Sequence, residues 1–535
     1  MQVRQAVHIM AAEWRWVIFV GCALILLTFA PLLWVALTGT ADWQFMGALH
    51  NYLDGATYIS KMVQGYNGNW LIFFQHTPEQ YSGAFLQVLY PLLGHLARIS
   101  AVPVIVLFHV ARVGASLFMY VALYQLGATI WTKLRTRRVF FVIASIGAGF
   151  GWLLLPLTLE FRFPDILLPE AFPLFSTYFN VHFPLTIGCV ALLVALLVMA
   201  FRPGADQDPT IDRSQPVAAV LSFVLALLYP QALVPIGAAS VLYALITWRT
   251  ERSIPARVVR WLLALILPAL PVAAYYALAI ATNEGLAIWN RQNVTPSPPP
   301  LILIAGFGIP LLLALPGIFR AIRRFEHDGD RLILLWLACI VIAIYLPVNI
   351  QRRFAVGMMI PIAYFATRAV EDVWLRRFSR RRRGFAFALL TALIIISPIF
   401  MLFYPVLPAV LGNPQQAVGI FLERDYAIAY RWLDARTSED DVVLAAPIVG
   451  TWLPGWAGAK VVYGHPYETL DAEAKLQAVE DWYAGASDGD CSALLDRYDV
   501  RYVLYGPEER AYGETACIGD LEQAAHFGAV IVYAR

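Results

Sequence analysis

Long apolar blocks separated by polar connections fill the chain to about residue 405, and beyond it the pattern breaks into short alternating and helical stretches. The blocks lie at roughly 17–38, 103–127, 139–159, 184–201, 216–231, 233–248, 261–282, 300–319, 332–349, 354–371 and 385–405. A helix needs about 20 apolar residues to cross the hydrocarbon, so the pattern predicts a polytopic α-helical membrane protein with about 11 spans. The fifth and sixth blocks meet at Tyr229-Pro230-Gln231. Proline breaks a helix there, and basic connections on both sides make the pair two crossings. Residues 83–97 are apolar but short and carry Pro91, so they read as an interfacial or re-entrant helix within a long connection, 39–102.

After residue 405 the periodicity changes. Residues 423–436 and 471–483 have helical spacing, while Val442 to Ala446, Val461 to Tyr463, Val500 to Tyr505 and Ala529 to Tyr533 read as strands. The chain therefore divides into a membrane part, 1–405, and a small α/β domain, 406–535. Composition agrees, because hydrophobic residues make up 59% and charged residues 14%, against about 25% charged in soluble domains.

Charge fixes the expected orientation. Connections on one face, including the N-terminus, carry 23 Lys and Arg; the opposite connections hold only Lys61, Arg98, Arg162, Arg291, Arg352 and Arg353. By the positive-inside rule the first face is cytoplasmic, which puts the N-terminus inside and residues 406–535 outside. The first span sits behind Arg4 and Arg15 without a small-residue cleavage site, so it reads as an uncleaved anchor. The terminal domain has 20 acidic residues against 9 Lys and Arg, so the net charge of +2 hides a polarised molecule. Such an acidic surface argues against nucleic-acid partners.

Cys22, Cys189 and Cys339 fall in spans, whereas Cys491 and Cys517 are the only pair on the outer, oxidising side, where a disulfide can form. No CxxC, Walker loop, GxGxxG, GxSxG or His/Cys metal spacing appears in a usable context. No cofactor is predicted; a divalent metal stays open.

Candidate chemistry concentrates in the outer connections. In 51–66, Tyr52, Ala56, Ile59, Val63 and Tyr66 recur at helical spacing, so one face can rest on the membrane while Asp54, Tyr58 and Lys61 share the wet face. A carboxylate held there suits general-base work; it equally suits a helix N-terminus or a partner for Lys61. Asp42, just after the first span, is the rival acid.

The runs Tyr52-Leu-Asp-Gly-Ala-Thr-Tyr-Ile-Ser-Lys-Met, Gly65-Tyr-Asn-Gly-Asn-Trp-Leu and Tyr90-Pro-Leu-Leu-Gly-His-Leu-Ala-Arg resemble the first external loop of the C-type (GT-C) integral-membrane glycosyltransferases. That superfamily includes the protein O-mannosyltransferases and aminoarabinose transferases. The resemblance implies transfer of a sugar from a polyprenyl-phosphate donor to a glycan, lipid or protein acceptor on the external face, usually with inversion, with Asp54 as the base. Members often carry Asp-Glu at this site. Here Gly55 follows Asp54, so a second acid is absent or supplied elsewhere.

Cationic groups near the outer interface would take up the charge of a departing lipid phosphate. Arg352 and Arg353 stand at that depth and break the inside-positive trend. Arg112, with His109 one turn before it, lies inside the second span, where an ionisable group usually faces a polar cavity or a partner. Glu170 and His182, in the second outer connection, and His76 are candidates to line a sugar pocket. So is His465, in the stretch that also holds Trp452, Trp456 and Glu468. Competing readings are a transporter or lipid flippase, and a noncatalytic assembly protein; an inner-membrane location fits all three.

Overall fold

The computed structural model describes residues 9–37, 41–202, 205, 208–327, 329–486 and 491–535; Arg4 lies outside them. Among the described residues, ten helices are long and apolar enough to cross a membrane, and the chain is a multi-pass membrane protein. The paired blocks at Pro230 form two helices, Gln215–Leu228 and Leu233–Glu251, joined by a 3-10 turn at Pro230–Ala232. One block falls short of the expected eleven: 332–349 forms the 14-residue helix Asp330–Ala343. At 1.5 Å per residue it is about 21 Å long, less than the hydrocarbon thickness, and Pro347 disfavours helix in the residue before it.

The chain divides into two compact units, one of Met1–Phe29, Ala111–Tyr276 and Val294–Tyr404, the other of Ala30–Val110, Ala277–Asn293 and Pro405–Arg535. The first is helical and is held by one continuous apolar core. Several of its buried charges are ion-paired, which offsets part of the cost of desolvating them. Glu13 accepts hydrogen bonds from Tyr124 (2.6 Å) and from Arg137 (2.8 Å), and Arg368 meets Asp330 at 2.6 Å.

In the second unit, the long connection 39–102 and the C-terminal region share a core. Strand β1 (Trp43–Phe45) pairs antiparallel with β2 (Phe421–Glu423). The main sheet contains β3 (Val442–Leu444), β4 (Lys460–Val461), β5 (Val500–Tyr505), β6 (Glu522–Phe527) and β7 (Val530–Ala534), in the order β4-β3-β5-β7-β6. Strands β4, β3 and β5 are parallel, while β7 and β6 complete the sheet antiparallel. Helices Arg424–Asp434 and Ala472–Tyr483 occupy the stretches that periodicity marks as helical. Cys491 and Cys517 form a disulfide, with Cα atoms 5.1 Å apart.

The three motif runs of the first connection fold on each other. Helix Tyr52–Asn67 packs against helix Leu89–Ser100, and this approach demands glycine. A Cβ on Gly65 would lie 2.2 Å from the Pro91 carbonyl oxygen, and one on Gly94 would lie 2.0 Å from that of Met62. Tyr58 stacks on Tyr90 and Trp70 on His95, each with ring centroids 4.1 Å apart. Pro91 is tolerated because it falls in the first helical turn, where its missing N–H has no intrahelical acceptor.

The expectation that Ala56 and Ile59 rest on the membrane is corrected. Both are fully buried in a core with Leu422, Tyr426, Trp452 and Leu453. Helical spacing identified an apolar face, but it carried no information on whether lipid or protein covers it.

Candidate functional site

Asp54 is the third residue of helix Tyr52–Asn67, whose N-cap is Asn51 at φ +50°. The Asn51 amide donates to Asp54 Oδ2, and the Asp54 backbone N–H points at Asn51 Oδ1, 3.5 Å away. The helix N-terminus favours the ionised carboxylate. Asp54 Oδ1 faces His465 Nε2 at 3.5 Å, and the Asp54 side chain keeps 36% of its surface exposed while that of His465 keeps 3%.

His465 is oriented by backbone. Its Nδ1 accepts N–H bonds from Tyr467 and Glu468, both at 3.1 Å, so the neutral ring carries its proton on Nε2, aimed at Asp54. Thr469 holds the same turn, its Oγ1 receiving the backbone N–H of Gly464 and His465 and donating to the His76 carbonyl.

A buried polar layer lies beside this pair. Lys61, expected on the wet face, is 1% exposed and forms an ion pair with Glu468 at 2.5 Å, with its ammonium 5.1 Å from the Tyr58 ring centroid. Tyr58 is half-buried. Ser60 donates to Gln75 Oε1, and Gln75 Nε2 donates to the Gly458 carbonyl. Glu79 pairs with Lys475, whose ammonium burial pulls below the usual lysine range while Glu79 pushes it up.

His76 is fully buried; Nε2 donates to the Thr451 carbonyl at 3.0 Å and Nδ1 lies 3.7 Å from Glu468. Burial holds it down at about 4, against a partial rise from Glu468, so at neutral pH the contact with Glu468 joins a neutral ring to a carboxylate already neutralised by Lys61. An unfolded His76 binds its proton near pH 6.5 and the folded one only near 4, so its contribution is complete above 6.5 and is lost as pH falls to 4. The difference in unfolding free energy between wild type and His76→Gln is expected to shift by about 3 kcal/mol across that window. Denaturant unfolding at several pH values measures it; a pH-independent difference contradicts the assignment.

Asp42 is exposed beside β1, and its carbonyl accepts the Arg424 N–H. Trp452 and Trp456 stand on helix Pro447–Ala457. Their indole N–H groups donate to the Gly419 and Met46 carbonyls. Both rings therefore serve the core of the unit.

The helical unit gathers the other candidates around the connection 160–183. Arg352 and Arg353 lie half-buried in the turn Gln351–Ala355, which packs against the turns Pro169–Ala171 and Pro230–Ala232. The Pro-rich connection is fastened to this turn, since Arg352 N–H donates to the Thr295 carbonyl and Ser297 N–H to Gln351. Glu170 is buried and its carbonyl accepts the Gly357 N–H. His182, also buried, starts helix His182–Phe201 and stacks on Tyr229. Arg112 is buried, donates to the Tyr178 carbonyl at 3.0 Å and covers the Phe29 ring. Asp165 is a structural acceptor for Gly149, Gly151 and Ser397, and burial pushes it up to about 6.

No protein-family model and no curated protein sequence matches the chain. Among solved structures it is similar to ArnT from Cupriavidus metallidurans bound to undecaprenyl phosphate, with a TM-score of 0.55 and 12% identity over 98% of both chains. It is also similar to the Archaeoglobus fulgidus oligosaccharyltransferase tethered to an acceptor peptide, with a TM-score of 0.53 and 14% identity over 97% of this chain and 74% of that one. The chain has the GT-C fold. The arabinofuranosyltransferase AftD from Mycobacteria extends the likeness, with a TM-score of 0.54 and 13% identity over all of this chain and 40% of that one. At such identities the likeness is one of fold. The Archaeoglobus fulgidus oligosaccharyltransferase was also solved with Zn and sulfate; among the described residues of this chain, no three His, Cys, Asp or Glu side chains form a metal-holding group.

Proposed function

We propose that the chain is a membrane glycosyltransferase that moves a sugar from a polyprenyl-phosphate donor to an acceptor hydroxyl on the extracytoplasmic face, with inversion and with Asp54 as general base. The observation that carries this reading is the Asp54 carboxylate, half-exposed at a helix N-terminus and met on its two oxygens by Asn51 and by a backbone-oriented His465. Its ArnT-like and oligosaccharyltransferase-like fold supplies the class of reaction, and the disulfide supports an oxidising compartment for the terminal domain.

The chemistry follows from the groups. Asp54 takes the proton of the acceptor hydroxyl, whose oxygen attacks the anomeric carbon while the carbon–oxygen bond to the lipid phosphate breaks and its electron pair leaves with the phosphate. His465 is a positioning residue that keeps a hydrogen-bond donor on the ionised acid. Asn51, absent from the sequence-level candidates, does the same from the other side; an Asn three residues before an acid at a helix start is the signal that marks it. Asp42, exposed beside β1, is the lesser candidate for the base.

Arg352 and Arg353 are assigned to the donor phosphate, on the strength of their two-point hydrogen-bonding geometry and their turn among the outer connections. Arg352→Gln/Arg353→Gln is expected to lower kcat/KM for the lipid donor by about 10–100-fold, the worth of one or two charge-assisted hydrogen bonds; unchanged kcat/KM removes them from the site. The reading as a whole is tested by offering the purified protein in liposomes a set of radiolabelled polyprenyl-phosphate sugars. Transfer of label from one of them supports it, and failure with every donor and acceptor class counts against it.

A further inference from the structure

Two adjoining hollows on the arginine-rich face of the helical unit have opposite character. One, of about 470 Å³, is lined by five cationic side chains and two acidic ones. Both acids are engaged, Glu371 by Arg135 and Asp372 by Arg320 and Arg368, so Lys133, Arg376 and Arg383 are left without an acidic partner among the described residues. The other, of about 460 Å³, is almost wholly apolar, walled by Leu313, Trp374, Phe378, Leu389, Leu390 and Leu393. Leu375 and Arg383 line both.

Arg381, Arg382 and Arg383 stand in the first turn of helix Arg380–Ile394, the end at which the macrodipole disfavours cations. An anion there offsets both the dipole and the clustered charge. A soluble anion would satisfy the basic hollow alone and leave the groove, with Phe385 73% and Leu389 48% exposed, to be covered by something else. An amphiphile satisfies both.

We propose that the two hollows together form a binding site for one anionic phospholipid of the cytoplasmic leaflet, its phosphate held by Lys133, Arg376 and Arg383 and an acyl chain lying along the groove. Basic pockets between membrane helices on the cytoplasmic side suit anionic head groups. The site is independent of Asp54 and goes beyond the transfer reaction.

Native mass spectrometry of the full chain, titrated in detergent with phosphatidylglycerol or phosphatidylcholine, tests it. Wild type is expected to retain phosphatidylglycerol at least about tenfold more tightly, and Arg376→Gln/Arg383→Gln to bind both lipids alike at unchanged Tm. Arg381→Gln, which removes a neighbouring charge outside both hollows, is expected to keep the preference. Excess glycerol phosphate should leave the lipid bound. Equal retention of both lipids by wild type, a preference that survives the double substitution, or full displacement by glycerol phosphate overturns the proposal.

Discussion

Lys61→Met is expected to cost the C-terminal unit about 3–5 kcal/mol of stability, because it strands the Glu468 carboxylate in a region from which water is excluded. The neighbours offer little relief. His76 is neutral, held near 4 by burial, and donates its proton to Thr451, while Lys475 is committed to Glu79. Replacing both partners, Lys61→Met/Glu468→Leu, removes the two desolvation costs together and is expected to restore most of the loss. Asp496→Asn is the control: it breaks an ion pair with Arg535 in which both side chains are open to solvent, 59% and 34% exposed, and such pairs contribute at most about 1 kcal/mol. Thermal unfolding of the four proteins gives the comparison. Equal losses for Lys61→Met and Asp496→Asn would show that Lys61 and Glu468 are not buried together.

This ion pair bears on the proposed chemistry through the turn that carries His465. Glu468 follows His465 by three residues, and its backbone N–H is one of the two that fix the imidazole. A substitution that loosens Glu468 therefore reaches Asp54 through the ring, without touching the acid. Stability and activity are expected to fall together in Lys61→Met and to recover together in the double variant.

Much of the architecture could be read from hydrophobic period, because a bilayer demands long apolar helices. The shortfall at 332–349 reflects Pro347, which shortened a helix that composition alone made long enough. In the terminal domain, β6 escaped notice since Glu522–Phe527 is an edge strand with mostly exposed polar residues and no apolar alternation. Helix Pro447–Ala457 was hidden by Pro447, Gly450, Pro454 and Gly455. Pro447 sits in the first turn, where proline is accepted, and packing of Val449, Trp452 and Leu453 outweighs the low helix propensity of the rest.

The site divides the same way. Asp54 was legible as an acid on an amphipathic helix in an outer connection. The company it keeps was not, because helical spacing cannot reveal contacts between distant segments: Lys61 and Glu468 stand 407 residues apart in the chain. Spacing alone therefore makes the polar face of 51–66 a wet one, whereas the C-terminal region covers much of it and leaves Asp54 partly open.

Asp54→Asn is the substitution on which the functional account turns. The carboxamide keeps the size of the carboxylate and can still accept a hydrogen bond from Asn51 or His465, so unfolding free energy and donor affinity are expected to stay within about 1 kcal/mol of wild type. What it loses is the capacity to take a proton from an acceptor hydroxyl, a step worth about 10²–10⁴-fold in rate. The decisive measurement is the initial rate of label transfer from a radiolabelled polyprenyl-phosphate sugar to acceptor, with wild type and Asp54→Asn side by side in the same liposomes. The account predicts a fall of at least about 10²-fold in kcat with KM for the donor unchanged; equal rates in the two proteins would contradict it.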